Sequence, residues 1–136
     1  MVWSLQKEKM TLKYFHISEF DCSCGRLNCK GENMNVEFLK TLDDARNLSE
    51  IPFFITSGYR CEAKQQELTE LGYKTAKIRS PHLDGLAADI SVTDARSRWI
   101  IVNSLVLAGF SRIGISDTFI HVDLSKDLRD NVIFTY

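Results

Sequence analysis

Residues 80–89 of this chain have the sequence Ser80-Pro81-His82-Leu83-Asp84-Gly85-Leu86-Ala87-Ala88-Asp89. The imidazole of His82 and the carboxylate of Asp89 are seven positions apart, on either side of a turn centred on Gly85. Such a turn lets the two side chains converge on one point, as metal ligands must. Zn²⁺ binds His nitrogen and Asp oxygen together, and a catalytic zinc site has three protein ligands and an open fourth position. The segment therefore predicts two ligands of a metal site and requires a third.

The third ligand is predicted in Phe119-Ile120-His121-Val122-Asp123, an alternation typical of a half-buried strand. Residues 119, 121 and 123 would share one face of that strand, and the aliphatic residues would take the other. The sequence contains three histidines, and two of them lie in these two segments. His82, Asp89 and His121 would give Zn²⁺ an open position, where water ionises at a pH of about 7 while the metal polarises a carbonyl. Amide hydrolysis is the reaction that such a site favours.

Three motifs together carry a resemblance to a known family. They are Ser57-Gly58-Tyr59-Arg60, then Ser80-x-His82-x-x-Gly85-x-Ala87-x-Asp89, then His121-Val122-Asp123. This set resembles the zinc D-Ala-D-Ala peptidases, the hedgehog-like group of cell-wall carboxypeptidases and phage endolysins, over roughly residues 15 to 125. The resemblance implies one catalytic Zn²⁺ and hydrolysis of peptidoglycan stem peptides by a D,D-carboxypeptidase or an endopeptidase. The alternative is a zinc-bearing binding module that has kept the fold and lost turnover.

The resemblance also implies roles for individual residues of these motifs. Arg60 lies where the family places an Arg that binds the substrate or stabilises the developing oxyanion. The simpler alternative is a surface Arg paired with Glu62. Tyr59, beside Arg60, is expected to contact substrate. Ser80 is expected to orient either the substrate or His82, and its minimal role is to begin the turn.

The general base is less well defined than the metal ligands. Related enzymes commonly place Glu or Asp three residues before the last ligand, or His two before it, but this chain has Thr118 and Phe119 there. Two aspartates are the candidates. Asp123 shares the strand face of His121 and is the preferred base, whereas Asp117 lies in the preceding turn. A carboxylate that orients a metal ligand is the alternative role for Asp123.

Composition limits the size and class of the protein. With 136 residues, 44% hydrophobic content and a net charge of −1, the chain can form one packed core. We expect a single domain over residues 1–136, with a loose segment at 1–15. Lys and Arg are spread along the chain, so neither nucleic acid nor a membrane is an expected partner. With no apparent signal peptide or membrane span, we expect a cytoplasmic monomer that reaches cell wall after lysis.

Helical periodicity predicts three helices. The first follows the N-cap Asn35. Its apolar positions recur at helical spacing: Val36, Leu39, Leu42, Ala45 and Leu48. A second helix is predicted over residues 62–71 and ends at Gly72. The third begins at Asp94 after a Thr93 cap, ends at Gly109, and is so apolar that we expect it to be largely buried.

Short apolar or alternating segments predict five strands, over residues 53–56, 87–92, 110–115, 118–124 and 132–136. The third and fourth are joined by a short turn at Ser116-Asp117, and this hairpin carries His121 toward the other ligands. The last is expected to be an edge strand. The predicted fold class is α+β, with a mainly antiparallel sheet and helices packed against it.

The four cysteines are Cys22, Cys24, Cys29 and Cys61. At this chain length they suit a reduced compartment better than a disulfide scaffold. Three interpretations stay open: a second, structural metal site completed by Cys61, simple buried thiols, or one disulfide that joins the N-terminal loop to the segment after Arg60. The Cys-x-Cys spacing differs from the usual Cys-x-x-Cys pair of zinc sites, and it favours the second and third interpretations.

Overall fold

The computed structural model describes residues 11–24, 29–73 and 80–136. Within these ranges the chain forms three α-helices, five β-strands and three short 3-10 helices. The predicted α+β class with a mainly antiparallel sheet is confirmed. Residues 1–10 of the predicted loose segment lie outside the described ranges. None of the helices in these ranges has the length and apolar character needed to cross a membrane.

The three helices are α1 (Val36–Ser49), α2 (Glu62–Glu70) and α3 (Ala95–Ala108). Helix α1 begins after Asn35, whose Oδ1 accepts a 2.9 Å hydrogen bond from the backbone N–H of Phe38. Its predicted apolar face packs on the core, where Leu39, Leu42 and Ala45 are fully buried. Helix α3 packs against α1. The two helices together cover one face of the sheet.

Burial of α3 differs from the prediction. Ile101 and Leu105, one turn apart, are buried in the core, whereas Trp99 and Leu107 are each 67% exposed and Val106 is 50% exposed. The expectation that this helix is largely buried is therefore wrong. Apolar residues occur all around α3, but one face alone packs on α1 and the sheet, so the others point outward.

The ends of the helices also correct two details. Asp94, rather than Thr93, caps α3, since its carboxylate accepts a 2.8 Å hydrogen bond from the backbone N–H of Ser97. Gly109 ends α3 as predicted, with a φ of 113° in the region that favours glycine. Leu48, assigned to the core face of α1, is 50% exposed, because the buried face continues from Ala45 to Ser49 instead.

The sheet has the order β1-β2-β4-β3-β5. Its strands are β1 (Ile55–Ser57), β2 (Ala87–Ser91), β3 (Arg112–Ile115), β4 (Phe119–Asp123) and β5 (Val132–Thr135). The pairs are antiparallel except β3–β5, which is parallel. Strand β5 forms an edge, as predicted. Strand β1 starts at Ile55 rather than at residue 53, because its pairing with β2 begins at Ile55 opposite Ile90.

The two faces of the sheet have different roles. Ile90, Ile120 and Val122 belong to the buried hydrophobic cluster with α1 and α3. Successive side chains of a strand point to opposite faces, so Asp89 and His121 point away from this cluster. The pairing of β2 with β4 places Asp89 directly opposite His121. The fold therefore brings two polar side chains together on the face that the helices leave uncovered.

Candidate metal centre

Asp89 and His121 meet because of strand pairing. They are direct partners in the antiparallel ladder of β2 and β4, so their side chains project from the same face. Nδ1 of His121 lies 3.0 Å from Oδ1 of Asp89. Both side chains are largely shielded from solvent, with exposures of 5% for His121 and 9% for Asp89.

His82 reaches the same point from the 3-10 helix that follows Ser80. Ser80 Oγ accepts a 3.3 Å hydrogen bond from the backbone N–H of His82 and so caps this short helix. Gly85 ends it with a φ of 69°, and a Cβ at this position would lie 2.4 Å from the carbonyl oxygen of Asn33. The turn predicted around Gly85 is thus required by both conformation and packing. It places Nε2 of His82 3.4 Å from Oδ1 of Asp89.

The three predicted ligands converge and fit a zinc ion. Ligand atoms of His82, Asp89 and His121 all lie within 4.8 Å of one another, and the two imidazole centroids are 5.2 Å apart. In each imidazole, the nitrogen that points away from the other ligands contacts a different group. Nδ1 of His82 lies 2.8 Å from the carbonyl oxygen of Gly58, and Nε2 of His121 lies 2.7 Å from Oδ2 of Asp123. One nitrogen of each ring and one carboxylate oxygen therefore face a common point, which is the donor set of catalytic zinc sites.

Protonation of the three ligands is coupled. Burial lowers the pKa of His82, which favours the neutral imidazole. Burial would also lower the pKa of His121, but hydrogen bonds to Asp123 and Asp89 outweigh it and raise this pKa to about 9. Burial would raise the pKa of Asp89, yet its close contacts with the imidazoles of His82 and His121 lower it. At neutral pH the metal-free site holds an imidazolium between two carboxylates, and a metal would have to displace its Nδ1 proton.

Asp123 lies behind His121 and is 1% exposed. Its carboxylate has two further partners besides the imidazole. Nε of Arg112 lies 3.0 Å from Oδ1 of Asp123, and the backbone N–H of Ser125 donates to the same oxygen at 3.0 Å. Burial would raise the pKa of Asp123, but the hydrogen bond and charge of His121 lower it. This is the geometry of a carboxylate that orients a metal-binding histidine, the alternative role considered for Asp123.

Arg60 lies at the edge of the ligand cluster. Its Nη2 is 3.7 Å from Oδ2 of Asp89 and donates a 2.8 Å hydrogen bond to Oγ of Ser57. Nη1 donates to Oε1 of Gln65 at 2.7 Å. Burial lowers the pKa of Arg60, but a guanidinium stays protonated at neutral pH. The positive charge is therefore held in a fixed orientation beside the ligands.

A cleft of ≈ 730 Å³ reaches the ligand cluster at Asp89. Three of the residues predicted to act on substrate line it, namely Tyr59, Arg60 and Asp117. Asp117 is exposed in the turn between β3 and β4. Ser80 is buried, and its hydroxyl group takes part in the turn that carries His82.

Two neighbours of the site were not anticipated from the sequence. Arg112 lies opposite Asp123 across the β3–β4 hairpin, because Ile115 pairs with Ile120 and not with Thr118, as a turn at Ser116-Asp117 would require. The ring of Phe134 on β5 lies 5.8 Å from that of His121, between ring centroids. It packs over Gly114, where a Cβ would lie 2.4 Å from the ring. No local signal identified Phe134, because its position depends on the parallel pairing of β5 with β3.

Comparison with known proteins agrees with this geometry. The family model described as Peptidase M15 matches residues 13–123, a range that includes all three predicted ligands. This family is a zinc-dependent one of the D-Ala-D-Ala carboxypeptidase type, so the match supports a metallopeptidase and confirms the resemblance seen in the motifs. No curated protein matches the chain significantly.

Proposed function

We propose that this chain, which belongs to the peptidase M15 family, is a zinc-dependent peptidase that hydrolyses peptide bonds in the stem peptides of peptidoglycan. The observation that carries the proposal is the convergence of His82, Asp89 and His121 at a cleft that also contains Arg60. Zn²⁺ bound by these residues would act as a Lewis acid that polarises a carbonyl and makes water nucleophilic at neutral pH. The motif resemblance and the family match support peptidoglycan stem peptides as the proposed substrate.

Arg60 is the proposed stabiliser of the carbonyl oxygen or of a substrate carboxylate. Its side chain is positioned by Ser57 and Gln65 before substrate arrives, so little reorganisation is needed. The guanidinium presents a planar fork that matches a carboxylate or an oxyanion. Tyr59 lines the same wall of the cleft and contributes to substrate contact.

Proton transfer is assigned to Asp117, and Asp123 is assigned to positioning. The carboxylate of Asp123 is buried among His121, Arg112 and the Ser125 N–H, where it holds the imidazole with Nδ1 toward the metal position. Asp117 is exposed in the cleft, where a carboxylate can take a proton from water and return it to the leaving amine. Ser80 acts through the turn that carries His82.

Product analysis tests the proposal directly. The zinc-loaded protein is incubated with muropeptides of defined structure, and mass spectrometry identifies the bond that is cut. We expect new amino groups with the wild type and none with His82→Ala. The matched control is His16→Ala, because His16 is exposed and lies outside the ligand cluster. A zinc-loaded wild-type protein that releases no product from any muropeptide would overturn the proposal.

A non-catalytic binding module is the second candidate. The burial of Asp123 among three partners favours it, since this carboxylate is then unavailable to carry protons from water. Binding of muropeptides, measured by calorimetry, without turnover by the wild type would support the module. Turnover that is lost in Asp117→Asn while binding is retained would support the peptidase.

A further inference from the structure

The four cysteines come together in the fold although Cys61 is far from the other three in the sequence. Cys22 and Cys24 follow the 3-10 helix Ile17–Phe20, and Cys29 returns beside them because its carbonyl oxygen accepts a 2.9 Å hydrogen bond from the Cys22 backbone N–H. Cys61 comes from the other side, as the residue that precedes α2. Two separate segments therefore contribute thiols to one place.

The distances among the four sulfur atoms suit tetrahedral coordination. All four Sγ atoms lie within 4.8 Å of one another, and those of Cys22 and Cys61 are 3.9 Å apart. With zinc–sulfur bonds of ~2.3 Å, the sulfur atoms of a tetrahedral site are about 3.8 Å apart. A single disulfide would engage two of the four thiols, whereas here all four share one centre.

Hydrophobic packing does not account for this convergence. Cys22 and Cys29 are buried at 6% and 7% exposure, yet neither belongs to the main hydrophobic core, which groups the buried apolar residues of the helices and the sheet. Thiols are weak hydrogen-bonding groups, so four of them gain little from facing one another alone. A thiophilic divalent cation would make the cluster strongly favourable, since thiolates are preferred zinc ligands.

We infer that Cys22, Cys24, Cys29 and Cys61 form a second metal site that holds a structural Zn²⁺ ion. With four protein ligands the site is closed, which separates it from the three-ligand centre of His82, Asp89 and His121. The proposal does not depend on peptidase activity. It agrees with the first of the three interpretations of the cysteines, a structural metal site completed by Cys61. The convergence of the four thiols in space is stronger evidence than the unusual Cys-x-Cys spacing.

The location of this second site indicates what the ion would do. Cys61 directly follows Arg60, and the backbone N–H of Tyr59 donates a 2.8 Å hydrogen bond to the carbonyl oxygen of Phe20, two residues before Cys22. Asp21 lines the cleft together with Tyr59 and Arg60. An ion shared by these two segments would clamp one wall of the cleft and hold the Arg60 segment in place.

Metal analysis of the purified protein tests the inference. For the wild type, prepared under reducing conditions, we expect about two zinc ions per chain, one for each ligand group. His82→Ala and Cys61→Ser should each retain about one. In the cobalt-substituted protein, the thiolate-to-cobalt charge-transfer absorption should survive in His82→Ala and disappear in Cys61→Ser. These readouts are independent of turnover, so failure of the peptidase proposal would leave them unchanged.

Thiol counting covers the alternatives. In protein purified without reductant and then denatured with a chelator, the metal site predicts four thiols that can be alkylated, and a disulfide predicts two fewer. A wild-type protein whose cobalt-substituted form lacks the thiolate-to-cobalt absorption, with either thiol count, would overturn the inference. The wild-type and His82→Ala measurements decide the question even if Cys61→Ser does not fold, because the thiolate–cobalt absorption either survives in His82→Ala or is absent from both proteins.

Discussion

Nε2 of His121 lies 2.7 Å from Oδ2 of Asp123, while its Nδ1 lies 3.0 Å from Oδ1 of Asp89. The imidazole is thus held at both nitrogens, by one carboxylate that shares its ligand cluster and by another that is buried behind it. Asp123 is fixed in turn by Arg112. Because these contacts set both the tautomer and the orientation of His121, the affinity for metal should depend on residues that never touch it.

Replacement of Asp123 should weaken metal binding without removing a ligand. In Asp123→Asn we expect the dissociation constant for zinc at the histidine site to rise by about 10–100-fold, because His121 loses its charged acceptor. Zinc titration with a competing chelator measures this, and Asp127→Asn, which changes an exposed carboxylate of the following turn, is the control. If activity stayed lost at saturating zinc, Asp123 would have to carry protons itself.

Replacement of Asp117 should lower activity and leave zinc binding unchanged. Asp117→Asn should lower kcat by about 10²–10⁴-fold, the usual contribution of a general acid–base group, while zinc content stays at the wild-type value. The comparison of kcat with metal content in Asp117→Asn and Asp123→Asn separates proton transfer from ligand positioning. An active Asp117→Asn variant would remove Asp117 from the mechanism.

Zinc binding at the histidine site should release about one proton per ion at neutral pH. The pKa of His121 in the metal-free protein is raised to about 9, while the pKa of His82 is lowered and that of Asp89 is lowered. Below pH 9 zinc must therefore displace a proton from His121, so its apparent affinity should rise about tenfold per pH unit from pH ~7 and level off above pH ~9.

Calorimetry in buffers of different ionisation enthalpy measures this proton release. Cys61→Ser is the suitable background, because the histidine cluster is then the single ligand group expected to bind zinc. A pH-independent affinity over this range would show that His121 is already neutral in the metal-free protein. The same linkage has a stability consequence: since folding raises the pKa of His121 from 6.5, its contribution to metal-free stability is complete below pH 6.5 and is lost as the pH rises through about 9.

Removal of the Arg60 guanidinium should cost activity and leave the metal in place. We expect kcat/KM to fall by about 10²–10³-fold in Arg60→Ala, as for loss of one oxyanion-stabilising donor. Lys64→Ala is the control, because Lys64 lines the same cleft and its loss changes the net charge equally. Arg60→Lys should remain impaired, since an ammonium cannot bond to Ser57 and Gln65 as the guanidinium does. Comparable losses of kcat/KM in Arg60→Ala and Lys64→Ala would show that Arg60 contributes to activity through its positive charge alone.

Gly58 should tolerate no side chain. A Cβ at this position would lie 2.7 Å from Cα of Phe20, and the Gly58 carbonyl oxygen holds Nδ1 of His82. Gly58→Ala should therefore lower the free energy of unfolding by about 1–3 kcal/mol, as overpacking does, and weaken zinc binding. Urea unfolding measures the first effect. The control Phe54→Ala changes an exposed side chain nearby and should alter stability by about 0.5 kcal/mol at most. A Gly58→Ala protein as stable as the wild type would contradict the close packing on Phe20.

Local sequence patterns were sufficient to identify the three side chains that converge at the candidate metal centre. The Gly85 turn predicted the approach of His82 to Asp89, and the alternation around His121 predicted its strand and its polar face. The hairpin of β3 and β4, the edge strand β5 and the α+β class were also predictable, because each depends on short-range periodicity and turn residues. The apolar composition of α3 did not predict how much of the helix is buried, since an apolar helix buries only the face that meets another element.

The sequence by itself identified His82, Asp89 and His121 as the candidate ligands, because strand and turn periods fix which side chains share a face within one segment. Tertiary structure alone decided the partners of those ligands: Gly58 and Asp123 at the imidazoles, Phe134 over His121, and Ser57 with Gln65 at Arg60. It also decided the meeting of the four cysteines. Contacts of this kind depend on the order and register of strands and on how separate loops pack, and these follow from burial of the whole core rather than from any single segment.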